Sequence, residues 1–174
     1  MKKILMLSLA VLLTGAHSVM AGAAKPLYTF RSLSVETALL AVNKALQECK
    51  RQGYSVAVAL VDRGGNLQAF ARDRFAGPHT PDTAFRKAWT ANSFRQDTTD
   101  LAEFLKNGRI PNQVQHNPGA LLVGGGVKIE AQGEILGGIG VAGAPPGKSE
   151  RDSIDGRCAK AGLEAVREAI EFAD

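Results

Sequence analysis

Ser55-Val-Ala-Val-Ala-Leu-Val61, Asp62-Arg-Gly-Gly-Asn66 and Leu67-Gln-Ala-Phe-Ala-Arg72 follow one another without interruption. The first run is apolar on both faces and bounded by turn residues, so it reads as a strand covered on both sides and therefore central. Gly64 and Gly65 can take positive φ in a tight turn, and Leu67 to Arg72 then returns as the antiparallel partner.

Working outward, Ser34 is a cap for a helix whose stripe is Val35, Ala38, Leu39, Val42, Leu46 and Cys49, ending near Gly53. On the other side, Gly77-Pro78-His79-Thr80-Pro81-Asp82 makes a loop and opens a helix. Thr80 suits the N-cap, Pro81 the first helical position, and Asp82 the positive end of the dipole. That helix carries Phe85, Ala88, Trp89 and Asn92. A second starts at Asp97-Thr98-Thr99, runs through Leu101, Phe104 and Leu105, and stops at Asn107-Gly108. Irregular chain is expected from Arg109 to Pro118. Ala120–Val123, Val127–Ile129 and Glu134–Ala142 are strand candidates, with a turn at Gln132-Gly133. A last helix opens near Ser153 with Ile154, Cys158, Ala161, Ala165, Val166 and Ala169 on one face. Short connections favour an antiparallel sheet, and amphipathic helices around apolar strands favour helices on both faces, an α/β fold in the α+β sense.

The start of the chain reads as an export signal. Lys2 and Lys3 form a positive n-region, Ile4 to Leu13 an apolar h-region, and small residues offer cleavage after Ala21 or Ala23. The apolar run is shorter than the roughly 20 residues a spanning helix needs. The expectation is a signal peptide over residues 1–21, one domain over residues 22–174, a periplasmic or secreted location and no stable membrane insertion after cleavage. The whole chain has 21 basic and 17 acidic residues, a formal +4, and losing Lys2 and Lys3 leaves +2. With no Lys/Arg cluster interleaved with aromatics, nucleic-acid binding has little support.

Several motifs carry less than their letters suggest. Gly138-Ile-Gly-Val-Ala-Gly143 spells GxGxxG but lies inside a strand rather than at a strand-to-helix turn. Its glycines are better read as letting a helix or a neighbouring subunit approach the sheet. Gly143-Ala-Pro-Pro-Gly147-Lys148-Ser149 is one residue short of a phosphate loop, and its prolines remove backbone donors. No GxSxG elbow accompanies the serines, and Cys49 and Cys158 sit on apolar helix stripes where a buried thiol or a disulfide is the default. No catalytic constellation emerges. His79 stands in a polar, Pro-bounded loop at a helix start, where structural and functional roles are both open. His116, between Gln115 and Asn117, reads as a solvated loop histidine, and Arg86 and Lys87 as helix-surface charges.

Phe85-Arg-Lys-Ala-Trp-Thr-Ala91, the Gly124-Gly-Gly126 turn, Gly137-Gly-Ile-Gly-Val-Ala-Gly-Ala-Pro-Pro-Gly147 and Cys158-Ala-Lys-Ala-Gly162, together with Val61-Asp-Arg-Gly-Gly-Asn-Leu67, resemble the GlcG/HbpS family over nearly all of the chain after the leader. The resemblance implies a profilin-like fold, a five-stranded antiparallel sheet between helices, and assembly into homo-oligomers. It also implies that the first and last helices pack on one side of the sheet, bringing Cys49 and Cys158 within disulfide reach.

Haem is the ligand the resemblance implies. Iron wants an axial donor, the macrocycle apolar walls, and propionates cations or helix N-terminal N–H groups. His79 is the candidate axial ligand, with Thr80, Arg86, Lys87 and Thr90 around it on the aromatic helix of Phe85 and Trp89, and His116 the alternative donor. The leading expectation is an exported haem-binding protein concerned with haem or redox sensing or handling. Its rivals are an enzyme or accessory factor for small hydroxyacids or alcohols, and an oligomeric scaffold without ligand.

Overall fold

The computed structural model describes residues 26–173, and Arg31 onward forms one compact unit. The proposed signal peptide lies outside the described residues. The elements are α1 (Val35–Arg51), β1 (Ala57–Asp62), β2 (Leu67–Arg72), α2 (Thr80–Phe94), α3 (Thr98–Lys106), a short 3-10 turn (Asn112–His116), β3 (Gly126–Ala131), β4 (Glu134–Ala142), a second 3-10 turn (Glu150–Asp152) and α4 (Ile154–Glu171).

The sheet is antiparallel in the order β2-β1-β4-β3. Among the described residues it has four strands, where the resemblance implies five. Ala120–Val123, apolar enough to read as a strand, is held by helix side chains instead of a ladder. The Leu121 N–H donates to Thr90 Oγ1 at 2.8 Å, and Arg86 Nη2 donates to the Ala120 carbonyl at 2.8 Å. Ala120 and Leu122 pack on Leu101 of α3 in a small cluster of their own.

The two faces of the sheet are built differently. Under α1 and α4, Val58, Leu60, Val127, Ile129, Ile139 and Val141 meet Ala38, Ala41, Val42, Cys49, Cys158 and Val166 in the main core. Leu60, Ile129 and Ile139 are fully buried, each contributing roughly 2 kcal/mol of hydrophobic stabilisation. Ser34 Oγ accepts the Thr37 N–H at α1's start, and Ser153 Oγ accepts the Gly156 N–H at α4's. Cys49 and Cys158 are joined as a disulfide with Cα atoms 5.5 Å apart, tying α1 to α4.

On the other face the strand positions are nearly bare. The register aligns Gly126, Gly140, Ala59 and Phe70 in one row across β3, β4, β1 and β2. A Cβ on Gly140 would strike the Ala84 carbonyl of α2, and one on Gly138 the Ala88 carbonyl. These glycines therefore let the backbone of α2 lie directly on β4, the closeness that the GxGxxG letters encode here. A large side chain reappears in the row only at Phe70, which is 40% exposed at the β2 edge.

Candidate functional site

His79 immediately precedes α2, at its N-cap position, with its side chain exposed. The helix thus starts one residue earlier than Thr80 as cap would require. Thr80 is buried in the first turn, where its hydroxyl donates to the Gly77 carbonyl at 2.8 Å and its N–H to the same oxygen at 3.1 Å. Both Thr80 donors are therefore spent inside the loop. The loop gains its shape from these bonds and from Asp73, whose Oδ1 accepts the Phe75 N–H at 2.9 Å. That bond holds the Asp73 carboxyl below its usual range.

Sequence reasoning missed the two residues beside His79 in this loop. Phe75 is 76% exposed, and the Arg74 guanidinium sits over its ring at 5.0 Å from the centroid. An exposed aromatic ring, a cation and an imidazole therefore share the segment 74–79. The pair Arg74-Phe75, four residues before His79, was the available signal.

The remaining residues chosen from sequence are engaged elsewhere. Arg86 Nη2 holds the Ala120 carbonyl, its Nε lies 3.5 Å from the Gly119 carbonyl, and its Nη1 is 3.9 Å from Asp82. Thr90 is buried and accepts from Leu121. Together they fasten the 119–121 segment to α2. His116 is exposed at the end of the first 3-10 turn.

Lys87 corrects the reading of a helix-surface charge. Only 4% of the residue is exposed, and Nζ donates to Asp155 Oδ2 at 2.9 Å and to the Val141 carbonyl at 3.1 Å. Asp155 Oδ1 accepts the Ala144 N–H at 3.1 Å. The pair joins α2 to the start of α4 across the end of β4. Because its members are 68 residues apart, no local spacing could reveal it. It lines a cleft of about 440 Å³ beneath the loop Ala144–Gly147, where Gly124 N–H donates to Glu150 Oε2 at 2.7 Å. His79 and His116 do not line that cleft.

Among the described residues, no group of three or more His, Cys, Asp or Glu side chains could hold a metal ion. No helix of the described residues is long and apolar enough to cross a membrane.

The antiparallel sheet between helices has known relatives. The family described as "Haem degrading protein HbpS-like" matches residues 33–164, and the chain belongs to it. Protein GlcG of Escherichia coli K12 is 31% identical over 110 residues, covering 63% of this chain and 81% of that protein. A crystal structure of a double mutant of Streptomyces reticuli HbpS superposes with a TM-score of 0.73 at 33% identity, over 92% of this chain and 98% of that one. The structure of a PduOC:haem complex shares the fold, with a TM-score of 0.67 at 23% identity over 78% of this chain and 95% of that one.

Proposed function

We propose that the protein is an exported haem-binding protein of the HbpS type, working in haem or redox sensing or handling, with His79 as the axial donor. The observation that carries this reading is the exposed imidazole at the start of α2, in a loop that also exposes Phe75 and Arg74, in a chain of this family. The donor set fits haem at the surface. His79 offers a nitrogen for iron, Phe75 an apolar wall, and Arg74 charge for propionates, while Arg86 is committed to the Ala120 carbonyl. Lys87 leaves that set because Asp155 already neutralises it, and the Thr80 N–H leaves it because Gly77 occupies it. Haem, when bound, supplies the redox-active iron. The chain's own residues would hold and orient it, and the Thr80 bonds to Gly77 fix the loop that carries His79.

The proposal extends to residues 1–21 as a removed signal peptide, residues 22–174 as one domain, a periplasmic or secreted location, and assembly into a homo-oligomer. The Cys49–Cys158 disulfide supports the location, since such bonds persist in oxidising compartments. Intact mass of periplasmic material checks it. A mature chain beginning at Gly22 or Ala24 is expected, and retention of Met1 there overturns export.

Haemin titration of the oxidised protein tests the ligand. A shifted Soret band at stoichiometric haemin is expected, moved and weakened in His79→Ala and unchanged in His116→Ala. The opposite pattern transfers the role to His116, and two unchanged variants remove histidine ligation. Absence of a shifted band in the wild-type protein removes the haem proposal.

A further inference from the structure

The buried Lys87–Asp155 pair is not accounted for by stability. Taking two charges out of water costs several kcal/mol per ion, and replacing such a pair by apolar groups is often neutral or stabilising. This pair also stands in the wall of the 440 Å³ cleft rather than in a sealed core. An ammonium has three donors, and among the described residues Lys87 Nζ makes two hydrogen bonds, to Val141 and Asp155. One buried donor of a charged group is therefore left to the cleft.

The opposite wall shows what the cleft accepts. The Gly124 N–H is capped by a carboxylate of the chain itself, Glu150 Oε2 at 2.7 Å. Glu150 is exposed and sits in a short 3-10 turn at the mouth, so its carboxylate can swing to water at small cost. Lys106, exposed at the end of α3, stands on the rim. Gly124 leaves space for this contact: a Cβ there would stand 3.0 Å from Glu150 Oε2 and 2.8 Å from Ser153 Cβ. Pro145 and Pro146 close the remaining side with apolar surface and no donors.

We infer that this cleft binds a small organic α-hydroxycarboxylate whose carboxyl group replaces that of Glu150 on the Gly124 N–H, and whose hydroxyl oxygen accepts the spare N–H of Lys87. Lys106 offsets the incoming charge at the rim. Glu150 is then a resident competitor, a carboxylate that must leave before the ligand enters. The site shares no residue with the loop of His79 and does not depend on haem.

The test uses the oxidised full-length mature protein and backbone amide NMR. Sodium lactate and sodium propionate are titrated against sodium chloride at equal ionic strength. Lactate, which carries the α-hydroxyl that propionate lacks, is expected to shift the Gly124 and Ala144 amides saturably and to bind more tightly than propionate. Glu150→Ala removes the competitor and is expected to tighten lactate binding about tenfold, the size of one charge-assisted hydrogen bond. Lys106→Ala is expected to weaken it severalfold, and His79→Ala to leave it unchanged. Amide shifts no larger than those of chloride in both the wild type and Glu150→Ala overturn the site. Equal affinity for lactate and propionate overturns the role of Lys87. Binding unaffected by Glu150→Ala overturns the competitor.

Discussion

The two faces of the sheet solve the same packing problem in opposite ways. Under α1 and α4, strands present Val, Leu and Ile, the helices stand off by the thickness of those side chains, and a disulfide crosses the helix pair. Under α2, the strands present Gly and Ala, and the helix backbone lies on the sheet itself. The first face stores hydrophobic stability. The second stores little, because there is little side chain to bury, but it fixes α2 against β4 with hardly any play. The groups proposed here for ligand binding, His79 at the head of α2 and Lys87 along it, both ride on that closely seated helix. A thick core holds the fold, and a thin one seats the helix that carries both proposed sites.

If the α1/α4 face carries stability, cutting its cross-link has the largest effect. The bond closes a loop with a sequence separation of 109 residues. The chain-entropy relation for a loop of that size gives about 4 to 5 kcal/mol. Denaturant unfolding with and without reductant measures this directly. The reduced protein is expected to lose about that much while keeping its helix content. A loss under about 1 kcal/mol would mean that the core holds α1 to α4 unaided, and the contrast between the faces would rest on side-chain volume alone.

The thin face makes the converse prediction. Gly140→Ala adds one methyl group, normally a helpful change through reduced unfolded-state entropy. Here it drives a Cβ into the Ala84 carbonyl and within 2.5 Å of the Ala88 N, both helix backbone that cannot rotate away. The expected cost is about 3 kcal/mol, the upper end of overpacking. On the other face, Ile139→Val at the adjacent β4 position removes a methylene for only about 1 kcal/mol. Chemical denaturation of the two variants compares the faces within one strand. A Gly140→Ala protein as stable as wild type would show that α2 is free to lift, and the seating argument would fail.

Much of this was legible in the sequence. The run Val56–Val61 is apolar throughout because β1 is central, and the hairpin after it turns at Gly65, which takes the positive φ expected there, while Gly64 does not. The glycines of β4 announced a close approach, though not by which element. Ala120–Val123 misled because apolar content alone does not distinguish a ladder from an extended segment bonded by Arg86 and Thr90. His79 stood out because a polar loop bounded by prolines exposes its side chain. Lys87 did not. Its neighbours Phe85, Arg86 and Trp89 look like those of any half-exposed helix, and only the fold brings Asp155 to it. The charge that looked most ordinary is the most buried.

The smallest expected effect lies at the seam where the two faces end. Asp97 precedes α3, its Oδ1 accepts the Lys128 N–H of β3 at 3.1 Å, and Lys160 of α4 stands 3.8 Å from its Oδ2. Burial pushes its carboxyl above the usual carboxylate range, with the Lys128 N–H and the Lys160 ammonium opposing that rise only in part. A carboxyl that titrates higher folded than unfolded binds more protons in the native state. Its favourable contribution is therefore complete below the unfolded value and is lost as pH rises through the folded one. Asp97→Asn keeps an oxygen for the Lys128 N–H and removes the charge. Thermal melting between about pH 3 and pH 7 should find the variant level with wild type at the acid end and increasingly more stable above it. A variant that instead falls behind as pH rises would show that Lys160 outweighs burial, and that the edge of β3 is closed by an ion pair joining the two faces rather than by a backbone bond at their boundary.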